Sequence, residues 1–202
     1  NFTEYDGYVP DAGIDISPTS PTGRPVSASG LETLARCPFQ FFMQYALKVR
    51  PPDDITIDPH RWLQAGDTGT LLHDVFRDYM RALQAEGLLP DASRDEKRIH
   101  DILNDHVKFW LMQCPPPTES VYRRELRDLQ WAVNTFLNDE TIWCTTSRTP
   151  VYFEAALGLS SDGEGTPLDS MEPVSIRLPS GQYMKARGRI DRIDRVGEDD
   201  AH

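Results

Sequence analysis

The chain has 202 residues, of which 39% are hydrophobic and 26% are charged, so it is long enough for one well-buried domain and excludes a disordered or fibrous protein. No apolar run approaches the roughly 20 residues that cross a bilayer, which excludes a membrane-spanning class. The formal net charge of −11 disfavours nucleic-acid binding over the whole surface, because phosphate binding depends on Lys and Arg at the contact.

The N-terminal residues 1–26 are rich in Pro, Gly, Ser, Thr and Asp and show no periodic pattern. This composition predicts an extended arm or linker. A single domain is expected to follow over residues 27–202, with a helical part over 27–140 and a meander of strands over 150–196. The first residue is Asn1 rather than Met, and we expect the chain to be a piece of a longer protein.

The first predicted helix begins at Ser29, where Ser29 and Glu32 have the spacing of a capping box. Pro38 is expected to end or kink this helix, because proline lacks the amide hydrogen that a helix interior uses. The apolar stretch 39–47 then predicts a short buried helix.

A longer amphipathic helix is predicted after Gly69, with Asp67 or Thr68 as its cap and Gly87 as its end. Apolar residues recur there at steps of three and four, which is the pattern of one buried helical face. These residues are Leu72, Phe76, Tyr79, Met80 and Leu83. Two further helices are expected at about 94–113 and 118–140.

Three strands are predicted after Pro150, at 151–157, 174–178 and 183–196, with a hairpin turn between the second and the third. Helices followed by strands predict a mixed α/β fold.

Three side chains in this framework are candidates for chemistry. His73 lies close to the apolar face of its helix, where a lone histidine is more often a core residue than a ligand. Asp191 shares a strand face with Ile193, and a carboxylate there is costly to bury without a metal ion or an Arg. An edge strand with alternating surface charges would show the same pattern. Glu154 could face a metal site or pair with a nearby Arg.

The last predicted strand also concentrates positive charge. Six basic residues lie between positions 177 and 195, against the two acids Asp191 and Asp194. The basic residues are Arg177, Lys185, Arg187, Arg189, Arg192 and Arg195.

Several motifs follow one another in a definite order: Cys37-Pro38-Phe39-Gln40-Phe41-Phe42, then Gly69 and His73, then Glu154, then Gly188-Arg189-Ile190-Asp191-Arg192-Ile193-Asp194. Together they resemble the nuclease domain of the RecB/AddB group within the PD-(D/E)xK superfamily, most of all the C-terminal domain of AddB-type exonuclease subunits. The resemblance covers roughly residues 27–195. It implies a restriction-endonuclease-like core, with helices packed on a mixed sheet that is incomplete at its C-terminal edge.

The resemblance also implies a function, that of a divalent-metal-dependent DNA exonuclease in double-strand-break repair and recombination. His73 and Asp191 would be ligands of Mg²⁺ or Mn²⁺, and Glu154 would be a supporting catalytic residue. Hard carboxylate oxygens suit such ions, which lower the pKa of bound water and neutralise charge on a phosphate. The implied partners are DNA and a helicase-nuclease subunit. The expected DNA contacts are Lys185, Arg187, Arg189 and Arg192.

The family's Asp-x-Lys strand should follow Asp194, but no Lys occurs after Lys185. We therefore expect a chain that is truncated before this motif and that has little nuclease activity by itself. The alternative is a non-catalytic nuclease-like scaffold that guides a DNA strand within a repair complex. An acidic helical protein-binding domain is a third reading, which leaves the basic strand unexplained.

The three cysteines, Cys37, Cys114 and Cys144, are odd in number and form no Cys-x-x-Cys pair, which is typical of a reducing, cytoplasmic setting. AddB-type relatives can hold a 4Fe-4S cluster, which needs about four thiolates. Cys37 matches one of these ligand positions, and the other two cysteines match none. A cluster is therefore conceivable in the parent protein but not expected in this chain.

Overall fold

The computed structural model describes residues 17–20, 22–51, 58–144, 148–161, 163 and 165–197. The chain divides into two compact units. The first unit combines residues 1–53 with 154–192, and the second combines 54–153 with 193–202. Residues 1–16 of the predicted arm lie outside the described residues, and the domain bounds given above stay predictions. Helices precede strands along the chain, which confirms the mixed α/β class.

The helices of the first unit are α1, Ala28–Arg36, and α2, Pro38–Phe41, which continues into a π-helical turn at Phe42–Ala46. The cap of α1 is Ser27, whose hydroxyl accepts a hydrogen bond from the Gly30 amide at 3.1 Å, so the predicted cap at Ser29 is wrong by two residues. Pro38 ends α1 and starts α2, because its missing amide hydrogen is not needed in a first turn.

The second unit contains three long helices: α3, Ala65–Glu86, α4, Ala92–Gln113, and α5, Glu119–Trp143. Helix α3 starts at Ala65, earlier than predicted, and its cap is Gln64 rather than Asp67 or Thr68. It ends at Gly87 as predicted, where a φ of 69° suits a residue without a Cβ.

The core of the second unit lies between these three helices. The fully buried residues of α3 are Leu71, Val75, Tyr79, Met80 and Leu83. Leu72 and Phe76, which were predicted on this face, are only partly buried, and the ring of Phe76 stacks on Phe136 with centroids 3.9 Å apart. Each buried Leu or Val contributes about 1.5–3 kcal/mol. Among the described helices, none has both the length and the apolar character of a membrane span.

The four strands are β1, Arg148–Leu157, β2, Val174–Arg177, β3, Tyr183–Ala186, and β4, Gly188–Val196. Strands β2 and β3 form an antiparallel hairpin, in which Val174 is opposite Ala186. Strand β4 pairs with β1 instead of extending that hairpin. The predicted third strand is therefore two strands, and the predicted meander is two small sheets.

The break between β3 and β4 occurs where another segment joins the hairpin. Val26 forms a parallel bridge with Ala186, and its carbonyl accepts a hydrogen bond from the Arg187 amide at 2.9 Å. The Val26 amide donates to the Lys185 carbonyl at 3.0 Å. The end of the predicted N-terminal arm, as far as it is described, is thus part of the first unit.

Candidate functional site

Glu154 lies in an irregular part of β1. Side chains of a regular strand alternate between two faces, but four consecutive residues, Phe153–Ala156, are buried here. The φ of Glu154 is 57°, in the left-handed region, which costs a residue with a Cβ about 1 kcal/mol. Although it is acidic, Glu154 is only 5% exposed. A strained and buried carboxylate of this kind is a feature of functional sites.

The loop that follows β1 holds this end of the strand in place. One carboxylate oxygen of Asp169 accepts hydrogen bonds from the Ala156 amide at 3.0 Å and from the Thr166 hydroxyl at 2.6 Å. Hydrogen bonds from the Ser161 and Thr166 hydroxyls, and then from the Ala156 amide, hold the pKa of Asp169 well below its usual range. Asp169 is therefore ionised at neutral pH and braces the strand next to Glu154.

Strand β4 carries two charged residues toward Glu154. Arg189 and Asp191 are two positions apart and therefore share a face of the strand. The Arg189 guanidinium lies 4.0 Å from a Glu154 carboxylate oxygen and also donates to the Ser160 carbonyl at 3.2 Å. Carboxylate oxygens of Glu154 and Asp191 lie within 4.8 Å of each other. Glu154 thus faces both an arginine and a second acid.

The two carboxylates repel each other. At an effective dielectric constant of about 20, two like charges at this separation repel by on the order of 3 kcal/mol. Arg189 offsets one of the two charges only. A divalent cation would offset the remaining charge, and carboxylate oxygens are the ligands that Mg²⁺ and Mn²⁺ prefer. The donor chemistry of the pair and the burial of Glu154 therefore fit such an ion.

His73 lies in the second turn of α3, in the second unit, and is partly buried. Four residues earlier, a Cβ added at Gly69 would have no neighbour within 4 Å. Gly69 is therefore not required by close packing. The role of His73 as a metal ligand stays a prediction.

The four predicted DNA contacts do not share one surface. Arg189 faces Glu154, whereas Arg192 is on the opposite face of β4. Lys185 is partly buried in β3, and Arg187 is exposed between β3 and β4. Their role as DNA contacts stays a prediction.

The cysteines have structural positions. The Cys37 sulfur caps α2 by accepting a hydrogen bond from the Gln40 amide at 3.4 Å. Cys114 is exposed and Cys144 is buried, both at the ends of helices in the second unit. The role of Cys37 as an Fe–S ligand stays a prediction.

An Asp-x-Lys sequence does occur in the second unit, at Asp95-Glu96-Lys97 in α4. The Asp95 carboxylate accepts hydrogen bonds from the Tyr79 hydroxyl at 2.9 Å and from Arg94 at 2.7 Å. Lys97 is exposed and pairs with Asp101. This carboxylate is already saturated with protein donors, so the segment is structural and does not supply the missing catalytic motif.

Sequence analysis missed the carboxylate of Glu125, which organises the loop before α3. Its two oxygens accept hydrogen bonds from the consecutive amides of Trp62 and Leu63 at 3.0 and 3.1 Å. The Trp62 indole donates to the Cys114 carbonyl at 2.6 Å. These bonds fix the loop that leads into the helix of His73. The local sequence around Glu125 carries no signal for them, because the partners are more than 60 residues away.

Comparisons with known proteins agree with this architecture. Similar proteins include two ATP-dependent helicase/deoxyribonuclease subunits of the B type, one from Symbiobacterium thermophilum, 29% identical over 174 residues, and one from Clostridium kluyveri, 26% identical over 183 residues. The matches cover 83% and 86% of this chain, respectively, but only 14% of each relative. The chain thus spans about one-seventh of the length of these relatives. The family model of the PD-(D/E)XK nuclease superfamily matches residues 25–202, and the chain therefore belongs to that superfamily, as the resemblance in its motifs implied.

Proposed function

We propose that this chain is part of a divalent-metal-dependent DNA exonuclease, which acts in the cytoplasm with a helicase-nuclease partner subunit in double-strand-break repair. The observation that carries the proposal is the buried and strained Glu154, whose carboxylate lies within 4.8 Å of that of Asp191 in a member of a nuclease superfamily. The names of the relatives, which describe a helicase/deoxyribonuclease, support DNA as the substrate.

In this proposal Glu154 and Asp191 hold Mg²⁺ or Mn²⁺, and His73 completes the ligand set as the resemblance implies. Such an ion, when bound, lowers the pKa of a coordinated water and neutralises charge on the scissile phosphate. Glu154 supplies a carboxylate whose position is fixed by burial and by the Asp169 brace. Asp191 is exposed and lies on the side from which substrate approaches. Arg189 keeps Glu154 ionised and oriented.

The Asp-x-Lys motif of the superfamily does not occur after Asp194 in these residues. We propose that a longer chain of the parent protein supplies it, and that the 202-residue chain has little or no nuclease activity. The same geometry would also suit a nuclease-like scaffold that guides DNA without cutting it. Activity of the longer chain separates these two functions.

Metal binding is tested first, by titrating the 202-residue chain with Mn²⁺ and measuring free Mn²⁺ by electron paramagnetic resonance. Removing one charged ligand typically weakens a metal site strongly, so Asp191→Asn and Glu154→Gln are each expected to raise the Kd by about tenfold or more. Asp194→Asn is the matched control, since it removes the same charge from the other face of β4. An equal loss of affinity in all three variants would mean that Mn²⁺ senses only net charge.

Catalysis is tested with a longer chain that includes the residues after His202 in the parent protein. We expect it to degrade linear DNA in Mg²⁺ or Mn²⁺ and to lose at least about a hundredfold in rate on His73→Ala or Asp191→Asn, because transition-state charge stabilisation is worth several kcal/mol. If the longer chain binds Mn²⁺ and DNA but leaves DNA intact, the scaffold function replaces the nuclease function.

A further inference from the structure

A groove with a volume of about 690 Å³ lies in the first unit. It is lined by residues before α1, by residues in and after the π-helical turn, and by the residue between β3 and β4. Its charged lining residues are Arg24, Lys48, Arg50 and Arg187. No acidic residue of the described chain lines it, although the whole chain has a net charge of −11. Positive charge is thus concentrated at one concave surface of an acidic protein.

One wall of the groove is assembled from two distant segments. The hydrogen bonds of Val26 with Lys185 and Arg187 place the segment before α1 alongside the end of β3. Arg24 and Arg187 consequently line the same groove. Since these are backbone hydrogen bonds, the wall does not depend on the conformation of either arginine side chain.

The opposite wall begins at the π-helical turn. The Leu47 amide donates to the Phe42 carbonyl at 3.0 Å, and the Val49 amide donates to the Met43 carbonyl at 2.8 Å. Between them Lys48 has a φ of 56°, which is uncommon for a residue with a Cβ. The chain reverses here, and Lys48 and Arg50 line the groove.

An aromatic ring lies among these cations. Tyr45 lines the groove and is 36% exposed. Its ring stacks on Phe41, with centroids 5.0 Å apart and an angle of 18° between the planes. At Gly30 in α1, an added Cβ would lie 3.4 Å from the Tyr45 ring. Packing on two sides therefore holds the ring at the groove.

We propose that this groove, defined by Arg24, Lys48, Arg50, Arg187 and Tyr45, binds a single strand of DNA. Cations that neutralise backbone phosphates, together with an aromatic ring that contacts a base or sugar, are the combination by which proteins bind single strands without sequence preference. The volume is in the range of small-ligand pockets, about 300–1,000 Å³, which admits one strand and excludes a duplex. Such binding needs neither a metal ion nor cleavage, so it does not depend on the proposed hydrolysis.

The test measures binding of a fluorescein-labelled oligothymidine to the 202-residue chain by fluorescence anisotropy, in EDTA and between about 50 and 200 mM NaCl. The groove variant is Lys48→Gln/Arg50→Gln. The control is Arg36→Gln/Arg177→Gln, which removes the same charge from exposed positions of the first unit outside the groove. We expect the groove variant to raise the Kd by about tenfold and to reduce the slope of log K against log salt by about 1.4, while the control changes neither.

Three results would overturn the proposal: an equal loss of binding in both variants, duplex DNA binding as tightly as the oligothymidine, or polyglutamate displacing the oligothymidine at equal charge concentration. The last result would assign the groove to an acidic protein. Circular dichroism and the thermal midpoint establish that both variants are folded, and Tyr45→Ala is expected to weaken binding without changing the salt slope. An unchanged Mn²⁺ affinity of the groove variant separates this site from the proposed metal site.

Discussion

Buried carboxylates in this chain have opposite roles that depend on their partners. Asp95 is 2% exposed and is surrounded by donors from Arg94, Tyr79 and the Asp91 amide. Burial alone would raise the pKa of Asp95, but these hydrogen bonds outweigh it and hold that pKa below its usual value. Burial likewise raises the pKa of Tyr79, which keeps its hydroxyl a donor. Glu154, by contrast, lies beside a second acid, which is the arrangement of a cation site.

Asp95→Asn is expected to lower the free energy of unfolding by about 2 kcal/mol at neutral pH, because a buried charged partner of Arg94 and Tyr79 is lost. A depressed folded-state pKa contributes stability above the ordinary Asp value of about 3.9, and this stability is lost as pH falls through the lower folded-state pKa. The difference between the two proteins should therefore shrink in acid. Urea unfolding at neutral pH and at about pH 3 measures it.

The control for that substitution is Asp101→Asn, whose exposed pair with Lys97 contributes less than about 0.5 kcal/mol. A difference for Asp95→Asn that stays constant down to acid pH would show that its charge is not what stabilises the fold.

At the level of elements, helix α3 carries two glycines in a stretch that positions His73. A Cβ at Gly66 or at Gly69 would meet no neighbour within 4 Å, and neither has a positive φ. Glycine in a helix is less favourable than alanine by about 1 kcal/mol, because more backbone freedom is lost on folding. The open surface at this end of α3 is therefore maintained at a cost in helix stability.

We expect Gly69→Ala to raise the free energy of unfolding by about 0.5–1 kcal/mol, measured by thermal or urea unfolding. Gly66→Ala, in the first turn of α3, is expected to gain less, since fewer helical hydrogen bonds involve that turn. A loss of stability on Gly69→Ala would mean that close packing, and not open space, surrounds this residue.

For the whole molecule, charge is the property whose average is most misleading. The net charge of −11 argues against DNA binding, yet four cations line a single groove of the first unit, and two carboxylates of the same unit form a candidate cation site. Phosphate binding responds to the local surface, because screening limits charge interactions to about 10 Å at ordinary salt. An acidic exterior elsewhere is compatible with the function proposed for this chain.

Sequence alone determined the order of helices and strands, the end of α3 at Gly87 and the superfamily, because each depends on residues that are close together in the chain. Only the tertiary structure decided that β4 pairs with β1, that Glu154 has a left-handed backbone, and that residues before α1 complete the basic groove. Periodicity reports which face of an element is apolar. It does not report which distant segment will supply the hydrogen bonds, and these pairings position the carboxylates and cations.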